Sequence, residues 1–242
     1  MTGWPDTRRA ARSARHADKG LWQGTGVTTV NRIGKIAPLG LALLLGGCVG
    51  SLLGGGKPDN LFRLETALDP PVQQASAPAT RRGVIFLPID FAAEARSDRI
   101  LVSRGAETLY LKDARWVTPA PDMLAGLART VFAAQASEIL LTTPRQAAGV
   151  DYALQLSVDR FEAVYAPAAG KKDPPVVRVE GEARLFRMSD RTVVATRRFE
   201  ADAPAQDNRV SAIVSAFSVA TDQYLVQLVE WTRVRTQSSS PS

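Results

Sequence analysis

Between Tyr152 and Ala201 the apolar residues alternate through three successive runs, and this pattern constrains the fold more than any other stretch. Tyr152, Leu154, Leu156 and Val158 share one strand face; Phe161, Ala163 and Tyr165 continue in the opposite phase. A slip of one residue would turn the core face to water, so the pattern predicts a bulge near Asp159-Arg160. Val177, Val179, Ala183 and Leu185 make a second strand, with Arg178, Glu180, Glu182 and Arg184 on its solvated face. Ser189-Asp190 turns the chain into a third strand through Val193, Ala195 and Phe199. Residues 151–201 therefore read as a three-stranded antiparallel meander.

A helix from Asn208 to about Val234 follows. Val210, Ile213, Val214, Phe217, Tyr224, Leu225 and Leu228 recur at steps that form one stripe, suited to packing on that sheet. The stripe could instead be a seam between copies, which leaves homo-oligomerisation open. Thr236 to Ser242 reads as a disordered polar tail.

Upstream of the meander, Phe62 and Leu64 alternate with charges as a first strand. Ala67 to Thr80, rich in Pro, Gln, Ala and Ser, reads as a loop. The apolar run Gly83 to Ile89 is a strand buried on both faces. Arg99–Arg104 and Thr108–Leu111 form a strand pair around Gly105. Pro121 and Asp122 suit the first turn of a helix that reaches about Ala136 and buries Leu124, Leu127, Val131 and Phe132. Ile139–Leu141 is a brief strand. The expected fold is α+β: a single domain, with a mixed/antiparallel sheet and C-terminal antiparallel meander packed by two main helices, preceded by a lipoprotein signal.

That signal is the run Ile36 to Cys48, which follows Arg32 and Lys35 and ends in Leu45-Gly46-Gly47-Cys48. A charged segment, a short apolar segment and small residues before the cut are the form of a cleaved secretory signal. A cysteine at the cut adds the thiol that takes the diacylglyceryl group. Cys48 is the one cysteine of the chain. The competing reading is an uncleaved membrane anchor, because uncharged residues run on to Gly56. Seven glycines among them argue against a stable helix there. Residues 1–29 fit no part of a signal; translation from Val30 would give an ordinary signal length. Expected organisation is thus 1–47 as an N-terminal extension plus signal peptide that is removed, 48–58 as a flexible tether, 59–235 as a periplasmic domain, and 236–242 as the tail.

Processing changes the charge argument. The full chain is +6, but residues 1–47 hold seven Lys/Arg against two Asp/Glu, so the 195 residues from Cys48 onward are close to neutral at +1. That removes the basic surplus a nucleic-acid partner would need. The only histidine, His16, lies in the removed piece. No histidine-based triad or zinc site can be built, and no phosphate-cradling glycine loop is present outside the tether. The Glu180/Glu182 pair reads as a charged strand face rather than a glycosidase site. No cofactor or metal is expected, and a non-catalytic binding or assembly role fits better than an enzyme.

With these residues the chain resembles the ABC-type transport auxiliary lipoproteins, the PqiC/YmbA-like family. The resemblance rests on the signal ending in Cys48, on Leu61-Phe62-Arg63-Leu64, on Asp98-Arg99-Ile100-Leu101-Val102 through Tyr110, and on Ala114-Arg115-Trp116 to Pro119. Phe161 and the Asn208 to Trp231 helix complete it. Phe62 stands where the family usually has tyrosine. The resemblance implies a lipoprotein working with an MCE-domain protein and, through it, an ABC permease and its ATPase, in moving lipid between membranes. It implies acylation of Cys48. With Val49 rather than aspartate next to that cysteine, it implies the inner leaflet of the outer membrane, with the domain facing the periplasm. Arg104, Lys112 and Arg115 are the candidate docking residues; the competing reading is that they are ordinary solvated surface charges. The alternatives are an outer-membrane assembly or envelope-integrity lipoprotein without lipid cargo and, more remotely, a periplasmic hydrolase.

Overall fold

The structure, a computed structural model, describes residues 59–68, 81–146, 149–170 and 172–238. Cys48, the signal and the tether lie outside the described residues. Strand β7, Tyr152–Tyr165, is the spine of the sheet. Along one edge it pairs antiparallel with β8, Val176–Arg187, which pairs in turn with β9, Val193–Pro204. The predicted meander is present. Its register shifts between Val158 and Arg160, where the change of alternation phase required it.

The other edge of β7 carries three strands one after another, all parallel to it. Strand β2, Arg82–Phe86, pairs at Tyr152 to Leu154. Strand β3, Asp90–Phe91, pairs at Ser157 and Val158. Strand β4, Arg99–Arg104, pairs at Ala163 to Tyr165. Val84, Ile85 and Phe86 are buried in a row, as a strand covered on both faces requires. Strand β6, Ile139–Thr142, extends the sheet beyond β2. The β4 strand turns through Gly105, whose φ of 60° is a conformation that favours glycine, into β5, Glu107–Trp116. The first strand, β1, Asn60–Phe62, adds parallel to the end of β5.

Strand β5 is really two short strands. Its Tyr110 pairs with Leu101 and its Arg115 with Arg99, so extra residues of β5 bow out between them, with Asp113 at a φ of 55°. The apolar run expected to end at Leu111 ends at this distortion.

Two helices cover one face. Helix α1, Ala120–Gln135, begins after Pro119 and carries Pro121 and Asp122 in its first turn. It buries Leu124, Val131 and Phe132 as expected. Met123 and Ala128 are buried with them, and Leu127 is only partly covered. Helix α2, Val210–Ser238, lies along the meander with Ile213, Phe217, Tyr224, Leu225 and Leu228 all fully buried. By length and composition it could cross a membrane, but 56% of that apolar stretch is buried inside the domain, as befits a core helix.

The helix corrects one expectation. It does not give way to a tail at Thr236 but continues to Ser238. Thr236 is buried, its hydroxyl donates to the carbonyl of Thr232 at 3.0 Å, and its own carbonyl accepts from the Arg82 guanidinium. A polar residue satisfied in this way extends a buried helix turn that its composition alone would assign to solvent.

The core has two aromatic centres. Trp116, Phe161 and Phe217 meet with ring centroids 5.0–6.2 Å apart, joining β5, β7 and α2; Phe91 packs edge-on against Phe161 at 5.7 Å. Phe199 lies between Tyr224 and Trp231 at 6.0 and 5.7 Å, joining β9 to α2. Such pairs contribute about 0.5–1.5 kcal/mol each beyond the area they bury.

Candidate functional site

The bowed part of β5 creates the surface around two of the three expected docking residues. Asn60 donates its side-chain amide to the carbonyl of Asp113 at 3.2 Å, which ties β1 to the distortion. Beside it is a concavity of about 300 Å³ bordered by Asp59, Arg99, Tyr110, Lys112 and Arg115. The Arg99 guanidinium stacks 4.0 Å from the centre of the Tyr110 ring, and the Tyr110 hydroxyl donates to the carbonyl of Glu94 at 3.1 Å. Arg115 forms ion pairs with Asp59 and Asp98, the second at 3.2 Å. The hydrogen bonds that Arg115 donates to Asp59 and then to Asp98 push its guanidinium further toward its charged form. Its cation is thus matched by the domain itself. Lys112 is exposed and has no ion-pair partner among the described residues.

Arg104 is not part of this constellation. It ends β4 at the hairpin, opposite Glu107, whereas Arg115 lies opposite Arg99. The five residue steps along β4 from Arg99 to Arg104 separate the two by about 16 Å at ~3.3 Å per residue. Arg104 instead lies 5.4 Å from the Tyr165 ring centre, and the Tyr165 hydroxyl donates to Asn208 Oδ1 at 2.6 Å. Partial burial raises the Tyr165 pKa and the Arg104 charge opposes that rise. Proximity in sequence suggested one surface; the hairpin makes two.

The outer face of the meander is charged and paired internally. Arg178 meets Asp202 at 2.6 Å and Glu200 at 3.4 Å; Arg198 bridges Glu180 and Asp159, both at 2.8 Å. A smaller dent of about 230 Å³ near Ser103 and Thr108 holds Glu162, nearly buried and paired with Arg160 at 2.7 Å. No group of three or more His, Cys, Asp or Glu side chains that could hold a metal occurs among the described residues.

A third surface was not anticipated. A groove of about 520 Å³ runs between β1 and the first half of α2, lined by Leu61, Arg63, Val117, Val214, Ser211 and Ser215 among others. Leu61 is 64% exposed and Val117 38%. The available sequence signal was the spacing of Ser211, Ser215, Ser218 and Asp222, which puts four polar side chains on one side of the helix. Nothing in the local pattern says that β1 lies beside that line.

The comparisons with known proteins agree with this architecture. A family model described as the ABC-type transport auxiliary lipoprotein component matches residues 64–229. No curated protein matches the chain. The crystal structure of protein XCC0632 from Xanthomonas campestris, described by the family designation DUF330, is similar with a TM-score of 0.62 at 26% identity. That match covers 76% of this chain and 100% of the other. The crystal structure of an uncharacterized protein is similar with a TM-score of 0.57 at 12% identity, covering 73% of this chain and 99% of that one. At that identity the second likeness speaks of the fold alone.

Proposed function

Because the chain belongs to the ABC-type transport auxiliary lipoprotein family, we propose that it is the membrane-anchored periplasmic subunit of an MCE/ABC-type intermembrane lipid transport system. Its role there is to dock and hold, not to catalyse. The observation that carries this reading is the match of that family over residues 64–229, which takes in α1, most of α2 and every strand but β1. The surface chemistry is in keeping with it: grooves and dents lined by matched charges and small polar groups, on a domain with a continuous apolar core.

Acylation of Cys48 supplies the anchor. The ten residues Val49 to Pro58 would reach under about 20 Å as a flexible coil. That is too short for this protein to bridge two membranes, so a long partner from the inner membrane must come to it. An MCE-domain protein fills that part, with the permease and ATPase behind it. The anchor belongs in the inner leaflet of the outer membrane, with Lys112 and Arg115 on the docking side. Photo-crosslinking from position 112 in the lipidated chain, in its own envelope, tests this. An adduct with an MCE-domain polypeptide is expected, and its absence from every surface position would overturn the assignment.

A further inference from the structure

The groove between β1 and α2 is half closed by a regular set of hydrogen bonds. Below it the backbone N–H of Glu65 donates to Ser218 Oγ at 3.0 Å, and that of Ala67 donates to Asp222 Oδ2 at 2.9 Å. Alternate residues of an extended chain direct their N–H groups to the same side. Those of Leu61 and Arg63 therefore point the same way as those of Glu65 and Ala67. The register agrees, since the Phe62 carbonyl faces the other way and accepts from Val117 N–H at 2.8 Å. Two residues of extended chain advance about 6.6 Å and four residues of helix about 6 Å, so the two rows keep step. Ser215 and Ser211 continue the row past Ser218, but here strand and helix diverge and the groove opens. The result is an open strand edge facing a line of hydroxyls, with Leu61, Val117 and Val214 as apolar walls.

We infer that this groove takes an extended, uncharged segment of a partner protein, which adds to the free edge of β1 as a further strand. Its carbonyls accept from the N–H groups of Leu61 and Arg63, and its opposite edge meets the hydroxyls of Ser211 and Ser215. The charges of the lining, Arg63 and Glu65, cancel, so a neutral segment with small or apolar side chains is the complement.

The inference deepens the docking role proposed above and gives it a second site, further along β1 from the concavity at Lys112. The test incorporates a photo-crosslinking amino acid at Leu61 or Ser215 of the full lipidated chain in its own envelope, with Val193 on β9 as control. Mass spectrometry maps the crosslinked peptide, which is then synthesised and titrated against the purified protein. The expected result is one neutral segment captured from both groove positions and not from Val193. As a free peptide it should protect the Leu61 and Arg63 amides from hydrogen exchange and bind at least tenfold more weakly to Ser215→Trp. If that segment belongs to an MCE-domain protein, both readings stand. If it belongs to another protein, the groove assignment stands and the transport role rests on the crosslink from position 112. Adducts only with this chain or a second copy, no adduct, or a peptide that leaves those amides unprotected would overturn the inference.

Discussion

The hydroxyl of Tyr224 lies 2.8 Å from the point where a Cβ on Gly181 would stand. Gly181 sits opposite Val158, at the edge of the bulge in β7, and a Cβ there would also meet the Ser157 carbonyl and come within 3.0 Å of the Val158 Cα. The glycine lets the buried ring of Tyr224 stand end-on against the sheet. Burial raises the pKa of that hydroxyl and the charge of Asp159 adds to the rise, so it stays neutral. Gly181→Ala should therefore destabilise the protein by about 1–3 kcal/mol, the usual range for overpacking. Adding Tyr224→Phe should recover part of the loss, because it removes one of the atoms that clash. Denaturant titration of the two variants and the double variant measures this, and no recovery would mean that the backbone contacts alone set the cost.

Leu228 is fully buried on the sheet-facing side of α2. Leu228→Asp puts an unpaired carboxylate into apolar surroundings, at a cost of several kcal/mol unless the group takes up a proton. Against a typical total of about 5–15 kcal/mol this should leave little folded protein at neutral pH. A thermal melt close to that of the native chain would show that α2 is not part of the cooperative core.

Acid should weaken the outer face of the meander. The Arg178 guanidinium, by hydrogen bond and by charge, holds the Asp202 carboxyl below the usual carboxylate value of about 3.9. A depressed folded-state pKa stabilises the fold above the unfolded value, and the gain is lost as pH falls through the folded one. The window therefore lies below about pH 4. The pair is about one-third exposed, so the effect is small and screened by salt. Asp202→Asn should flatten the stability profile in that window and leave the fold at pH 7 in place. An acid limb of the same slope in the variant would assign the pH dependence to other carboxylates.

Cys48→Ser should abolish acyl attachment and leave the domain folded. Metabolic labelling with palmitate, followed by fractionation of the envelope, gives the readout. Label retained by the serine variant would refute acylation at this residue, and native mature protein found mainly in the inner membrane would refute the outer-membrane assignment.

Much of the architecture could be read from local pattern. The bulge at Asp159-Arg160 showed as a change of phase, and the α2 stripe showed as spacing, because both are set by neighbours in sequence. The partners of the parallel strands could not be read. Nothing near Val102 says that it lies opposite Ala163, or near Asn60 that it lies opposite Ala114. For the same reason nothing in the local pattern separates Arg104 from Arg115 or reveals the groove beside Leu61. Gly181 within an alternating strand was a readable sign of close approach, but the residue approaching it comes from a helix more than forty positions later.

The arrangement of strands on β7 has a consequence for how the chain matures as it is made. Before residue 152 is available, β1, β4 and β5 can form one small ladder and β2 with β6 another. The two share no ladder until β7 arrives to pair with β2, β3 and β4 along a single edge. A nascent chain therefore holds nothing larger than these small, unconnected ladders until more than 150 of its residues are made. Its last-made parts, β7 to α2, join them and complete the core. Pairings across sixty or so residues are slow to close, so a chain delivered N-terminus first through a narrow passage would stay loose enough to thread and would set only after most of it had passed.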